Sequence, residues 1–434
     1  MLKFAISTLG CKVNAYESQG YAQGLCDLGL IEVAFKEAAD IYIINTCAVT
    51  NTAAAKSRQK IHQAQKQNEK AMIVVVGCYA QNEFQTLSED PRIDLLVGSD
   101  QKEALPKLIL SVWNERKAVH KACDMRYANV FEAIPVRSFT HQTRAYLKIQ
   151  DGCNQFCSYC IIPFVRGRER SLHPDAVIAQ AKALRANHHL EIVLTGIHTG
   201  RYGREHQTTL TDLLKRLCNE VEGLQRIRIS SIEINEISDE FIALMKQETK
   251  IARHLHIPIQ SGNNEILSLM NRPYTIQEYA ERIHEIRRQI PGISISTDVI
   301  TGFPSESEAQ FESSYQCFQD LKFSFLHVFP FSKRDGTKAA EMKGSLDGKT
   351  KKQRSARLNA LSEQMYEEYQ KSFVKQAVAV LWEEQKNGMM IGHTSEYLKV
   401  YAPYQASSLH QLEIRRISAY EDDKLICEPQ EVIG

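Results

Sequence analysis

Cys153-Asn154-Gln155-Phe156-Cys157-Ser158-Tyr159-Cys160 sets three cysteines four and three positions apart, directly after an apolar run, Ala145 to Gln150, that reads as a buried strand. Thiols packed this closely in a chain without secretory features are metal ligands rather than disulfide partners. A closed zinc site and a complete cubane each take four protein ligands, and this loop offers three. His173 is a distant candidate for a fourth, which would make a zinc knuckle. The other reading is a 4Fe-4S cluster whose fourth iron stays open to a substrate or cofactor.

Working outward, strand and helix patterns alternate for nearly two hundred residues. Further strands are expected at Glu191 to Leu194, Arg226 to Ser231, His254 to Ile259, Ser294 to Ile300 and Ser324 to Val328. Helices are expected between them, at Pro174 to Ala186, Leu210 to Glu222, Thr275 to Arg288 and Glu306 to Leu321. The cadence predicts an α/β chain whose centre, residues 140–370, is a partial (β/α)6 TIM-like barrel. Chemistry on such a barrel sits at the carboxyl ends of its strands, where the cysteine loop falls. The other strand ends carry Thr195-Gly196, Ser231 with Glu233, Gln260-Ser261-Gly262, and Asp298 leading to Thr301-Gly302. Each of these polar residues alone reads equally well as a turn or helix cap.

Upstream, Leu2 to Thr8, Ile41 to Ile44 and Ala71 to Val76 are short, β-branched runs with helical patterns at Tyr16 to Leu28 and Ala53 to Gln65 between them. They predict a three-layer unit with a parallel sheet over residues 1–110. Cys11, Cys47 and Cys78 follow the three runs, so the fold would gather three thiols remote in sequence at one sheet edge. A single free cysteine is usually a small buried hydrophobe. Three in register point to a shared metal.

The Cys-x3-Cys-x2-Cys loop with Tyr159 before its third cysteine resembles the radical S-adenosylmethionine (SAM) superfamily. Together with Gly10-Cys11-Lys12-Val13-Asn14, Asn45-Thr46-Cys47-Ala48-Val49-Thr50 and Gly77-Cys78-Tyr79, nearly the whole chain is similar to the methylthiotransferase family. Lys12-Val13 and Ala48-Val49-Thr50 look like its tRNA threonylcarbamoyladenosine branch. The resemblance implies two 4Fe-4S clusters, on Cys153, Cys157 and Cys160 and on Cys11, Cys47 and Cys78. It implies SAM held by Tyr159, Thr195, Gly196, Ser231, Glu233, Gln260 and Asp298. His254 to Gly262 matches the family's fourth-strand motif, whereas Ile234 departs from it where relatives often carry proline. The implied reaction adds a methylthio group to carbon 2 of the modified adenosine at position 37. The first cluster would release a 5′-deoxyadenosyl radical from SAM, and the second would deliver sulfur. An isopentenyl-adenosine or a ribosomal-protein side chain is an alternative substrate. A non-catalytic iron-sulfur RNA-binding or redox-sensing protein is an alternative of another class.

Lys and Arg number 53 against 52 Asp and Glu, so no global field marks a nucleic-acid partner and local patches must do so. Ile41 to Asn68 holds no acidic residue, and Lys56 and Arg58 lie there. Arg166 and Arg168 follow the cysteine loop. These four, with Lys399 and Arg415, are candidate contacts to a tRNA anticodon loop, and each has a solvated-face or ion-pair alternative. Past a charged helix, Lys349 to Glu368, five short strands predict a small β-barrel at 371–434, similar to the TRAM domain, of oligonucleotide-binding type. It carries seven Lys or Arg and nine Asp or Glu, so either Lys399, Arg415 and Arg416 form a local patch for phosphates or the domain favours a basic protein partner. No apolar run is long enough to span a membrane. The composition fits a cytoplasmic enzyme, and the resemblance implies a reducing partner such as flavodoxin or ferredoxin and a sulfur donor.

Overall fold

The computed structural model describes residues 1–140 and 142–429. Six parallel strands form the first sheet in the order Ile31–Glu32, Lys3–Thr8, Ile41–Thr46, Met72–Gly77, Leu95–Val97, Val119–Lys121. The two central strands are buried along their whole length because helices cover both faces, as their unbroken apolar sequence requires. Alternation sends Phe4, Ile41, Ile43 and Val74 to the face shared with the helix Lys12–Asp27 and the central unit. Ala5, Tyr42, Ile44 and Val75 go to the face under the helix Asn51–Gln67. The last strand lies past residue 110, so the sheet extends further along the chain than expected.

The central unit has six parallel strands in two three-stranded sheets. Ala145–Lys148, Glu191–Thr195 and Arg226–Ile229 make one, and His254–His256, Ser294–Thr301 and Phe325–Pro330 the other. The sheets meet where Ile232 N donates to His256 O (3.0 Å) and Ala252 N to Ile227 O (2.9 Å). This is the expected open barrel, with two helices not read from the sequence, Asp239–Gln247 and Asn264–Leu269. The helix Gly348–Lys371 packs along the last strand.

The C-terminal strands Ala377–Lys386, Met389–Thr394, Lys399–Pro403, Lys424–Cys427 and Leu412–Glu421 close into a barrel around Trp382, Val400, Ile417 and Leu425. Positions 430–434 of this expected unit lie outside the described residues. Its docking onto the central unit includes a buried ionic contact. Glu191, fully buried, holds Arg226 and Arg228 at 2.9 and 2.8 Å, and those two arginines donate to the carbonyls of Ala379, His393, Thr394 and Ser395.

Burial alone would raise the Glu191 carboxyl, but Arg228, Arg226 and Arg144 outweigh it and bring it down to about 2. A depressed carboxyl contributes stability that is present above its unfolded value of 4.5 and lost as pH falls toward about 2. Glu191→Gln is therefore expected to cost about 3–5 kcal/mol at neutral pH, because it strands two buried guanidinium groups. It should also flatten the acid limb of the unfolding profile followed by circular dichroism. Among the described residues no helix is long and apolar enough to cross a membrane.

Candidate active site

The first three cysteines are drawn together by side chains that tie their loops. Asn14 donates to Leu9 O (2.7 Å) and Thr46 O (3.0 Å), joining the Cys11 and Cys47 loops. Thr46 Oγ1 donates to Val76 O (2.6 Å) and accepts from Ala80 N (3.1 Å), joining the Cys78 loop. Gly10 sits at φ +100°, and a Cβ there would stand 2.9 Å from Cys47 Sγ, so only glycine lets the two loops approach. The three thiols lie within Coulombic reach of one another.

The second trio is held by a different frame. Gly152, at φ +74°, precedes Cys153, and a Cβ there would fall 1.9 Å from Arg168 O, which excludes any other residue. Ser158 N donates to Met270 O (3.0 Å), and Ser158 O accepts from Ala339 N (2.8 Å). Arg272, unnoticed in the sequence, donates to Cys157 Sγ (3.4 Å) and pairs with Glu233. The alternative fourth ligand, His173, is exposed and caps the helix Pro174–Ala186. His198 stands beside Cys153 instead, its Nδ1 3.4 Å from Sγ. Cys153, Glu169 and His198 do gather within 4.8 Å of one another, a compact mixed donor set. His198 Nε2 pairs with Glu236 at 2.8 Å, which leaves Nδ1 on the side of Cys153 and Glu169.

Two features link the trios. The segment after the last barrel strand touches both loops: Arg334 donates to Asn51 Oδ1 (2.7 Å) and Val49 O (3.2 Å) near Cys47, and Ala339 meets Ser158. Beneath them runs a buried ionic network. Arg166 donates from Nε to Cys78 Sγ (3.1 Å), from Nη1 to Glu17 (2.7 Å) and from Nη2 to Asn14 (2.6 Å). Lys102 and Lys148 each bridge Glu17 and Asp151 at 2.6–2.9 Å, and Asp151 adjoins Gly152 and Cys153. With Arg170, four cations face two carboxylates, all at most 5% exposed. That positive surplus suits a neighbouring set of thiolates, so the donors fit an anionic iron-sulfur cluster.

Residues 3–98 match a family described as Uncharacterized protein family UPF0004, and residues 147–318 match the Radical SAM superfamily. The chain is 43% identical over 406 residues to the threonylcarbamoyladenosine tRNA methylthiotransferase MtaB of Bacillus subtilis, covering 92% of this chain and 90% of that one. It belongs to the radical SAM methylthiotransferase family. MtaB of Aquifex aeolicus is 38% identical (89% of this chain, 94% of that one). A tRNA-2-methylthio-N(6)-dimethylallyladenosine synthase of Moorella thermoacetica is 37% identical (88% and 87%). Among solved structures, the radical SAM methyltransferase TsrM of Kitasatospora setae superposes with a TM-score of 0.59 at 14% identity over 78% of this chain and 77% of that one, which supports the fold. The cofactors of this methylthiotransferase are SAM and 4Fe-4S clusters.

The residues expected to hold SAM in the methylthiotransferase lie in the Cys153 loop and on or just after the barrel strands. Tyr159 packs on Ile266, Met270, Phe303 and Phe331. Thr195 ends its strand, and the Gly196 turn rests on Gln150, whose Oε1 accepts from Ile197 N and His198 N. Ser231 accepts through its carbonyl from Thr199. Glu233 is taken by Arg272, just before a short 3-10 turn at the atypical Ile234. Gln260 holds φ +68° and pairs with Asp298 through its backbone. Asp298 lies within its strand, as expected, 3.2 Å from His256 Nε2.

Two expected RNA contacts are corrected. Arg166 has no exposure and spends its guanidinium on the buried network. Arg415 is 5% exposed and is held by Glu413 (2.7 Å) and Ser408, so neither side chain can reach a phosphate. Lys56, Arg168 and Lys399 are exposed, and Arg58 is exposed while donating to Tyr79 beside Cys78 (2.9 Å).

Burial pushes the metal-free thiols up: Cys47 to about 11 and Cys160 to about 12, with Cys11 and Cys157 raised as well. A thiol must lose its proton to bind iron. Reconstitution is therefore expected to go further at about pH 9 than at about pH 7 and to release protons. Absorbance and proton release followed by indicator dye measure both, and loading independent of pH would contradict it.

Proposed function

We propose that the protein adds a methylthio group to carbon 2 of N6-threonylcarbamoyladenosine at position 37 of tRNA. The observation that carries this reading is the pair of three-thiol sites joined by one buried ionic network, in a chain 43% identical to an MtaB enzyme. Cys153, Cys157 and Cys160 would hold the cluster that binds SAM, and Cys11, Cys47 and Cys78 the second cluster. Bound there, the two groups supply one-electron chemistry for an unactivated C–H bond and a source of sulfur. The chain's own residues orient and shield. Tyr159, Thr195, Gly196, Ser231, Gln260 and Asp298 line the SAM side. Arg272 ties Glu233 to Cys157, and Arg166 ties Cys78 to Glu17 and Asp151.

Lys56, Arg58, Arg168 and Lys399 are the basic side chains left to meet an anticodon loop, where the base is already unpaired and can be turned into the site. A flavodoxin or ferredoxin would supply electrons, a separate donor would restore sulfur, and the setting would be the cytoplasm. The test is a gene deletion in the host. Nucleosides from its tRNA, separated by mass spectrometry, should retain threonylcarbamoyladenosine and lack its 2-methylthio form. An unchanged level of the methylthio form would overturn the assignment.

A further inference from the structure

The two barrel sheets turn their apolar sides toward the surrounding helices, with Leu194, Ile227, Leu255 and Leu326 in the core. Alternation therefore points Arg228, His254, His256, Ser296 and Asp298 into the space between the sheets. Its floor is closed by the C-terminal barrel, where the Tyr397 ring lies 5.0 Å from the His254 ring and 4.8 Å from the Arg228 guanidinium. Above the floor, Ser296 Oγ joins His254 Nε2 (3.1 Å) to His256 Nδ1 (2.9 Å), and His256 Nε2 meets Asp298 at 3.2 Å. The wall formed by the last strand, Phe325–Pro330, is different. Register sets His327 beside Asp298 and Phe329 beside Ile300. The His327 ring stands 5.3 Å from that of His256, which fixes the face, yet it is exposed. Phe329, next along the same face, is 45% exposed, while Leu326 on the other face is 1% exposed.

This open aromatic wall stands between the two cysteine trios. On one side Ile300, the register partner of Phe329, packs in the same cluster as Tyr159 of the Cys153 loop. On the other, the strand runs on to Ser332, whose Oγ accepts from Asn51 N (3.4 Å), and to Arg334, which bonds Asn51 and Val49 near Cys47. An exposed ring of this kind takes a flat heteroaromatic ligand by stacking, whatever hydrogen bonds the ligand makes at its edges. On the reading proposed above, two purines come to this mouth, that of SAM and that of nucleotide 37. SAM belongs with the Cys153 loop, whereas the target base has to lie between the trios, as the wall does. We propose that Phe329, with His327 beside it, is the platform on which the base of nucleotide 37 stacks once it is turned out of the anticodon loop.

The test measures anaerobic binding of two anticodon stem-loops to cluster-loaded protein with SAM present. One loop carries threonylcarbamoyladenosine at position 37 and the other an abasic nucleotide there. Wild-type protein should prefer the first by roughly 5- to 100-fold, the range for stacking one base on one ring. Phe329→Ala should lose most of that preference by weakening the base-bearing loop alone, and Phe329→Trp should keep it. Equilibrium dialysis of labelled SAM should give the same affinity for wild type and Phe329→Ala. Iron content of about eight per chain in each variant checks that both cluster sites remain built.

The proposal is overturned if wild-type protein binds the two loops alike or if Phe329→Ala keeps the preference. It is also overturned if Phe329→Ala weakens both loops equally, which would assign the ring to the RNA backbone, or weakens SAM, which would assign it to the purine of SAM. The substrate assignment is judged separately: wild-type protein that shows the binding contrast but methylthiolates no threonylcarbamoyladenosine would defeat that assignment and leave the stacking contact in place.

Discussion

Cys157→Ala is expected to stop SAM cleavage, while Cys47→Ala is expected to continue cleaving SAM and to stop methylthio transfer. The loss of 5′-deoxyadenosine in Cys157→Ala should be on the order of 10³-fold or more, as for any group that works as a unit with its partners. The asymmetry follows from the two frames. Cys157 is tied by Arg272 to Glu233, among the residues expected to hold SAM. Cys47 sits against Gly10 and the loops of the first sheet. Anaerobic assays that quantify 5′-deoxyadenosine and methylthiolated nucleoside in one sample separate the outcomes. Equal loss of both products in the two variants would contradict separate roles.

Arg166→Met is expected to destabilise the protein by about 3–5 kcal/mol, the range for breaking a buried ion pair from one side. Among the described residues the guanidinium is the one cation that contacts both Glu17 and one of the six cysteines, and it has no exposure. Its removal leaves Glu17 to Lys102 and Lys148 alone and takes the hydrogen bond from Cys78. Arg166→Lys keeps the charge without the fork and should recover part of the loss, because one ammonium cannot reach Glu17, Asn14 and Cys78 together. Urea unfolding of the cluster-loaded protein measures both variants. A change in Arg166→Met within about 0.5 kcal/mol, typical of a surface site, would show that the network does not bear on stability.

Arg166 also shows where the sequence could not be read. In Phe164-Val165-Arg166-Gly167-Arg168-Glu169-Arg170 every arginine looks like a surface charge, and the partner that decides Arg166 is 149 positions away. Arg415 misleads in another way, since its strand inverts the usual order. Ile414 is 69% exposed while Arg415 turns inward to Glu413 and Trp382. Arg272 and His198 gave no local signal, because their place beside the cysteines comes from the turning of the barrel and not from any spacing in the chain. The strands Leu95–Val97 and Val119–Lys121 were too short for a period of two to register.

The six cysteines were legible for the opposite reason. Each stands at or near the end of a β-branched run or in a tight spacing, and parallel strands bring such ends to one edge whatever the intervening residues do. The six barrel strands were legible from their alternation with helical patterns, although Arg226–Ile229, His254–His256 and Ser294–Thr301 mix polar with apolar residues.

One anaerobic incubation tests the central claim most directly: reduced, cluster-loaded protein with SAM and tRNA bearing threonylcarbamoyladenosine at position 37, its nucleosides then read by mass spectrometry. The account predicts 5′-deoxyadenosine together with the 2-methylthio nucleoside. Formation of neither product, by protein carrying both clusters, would contradict it.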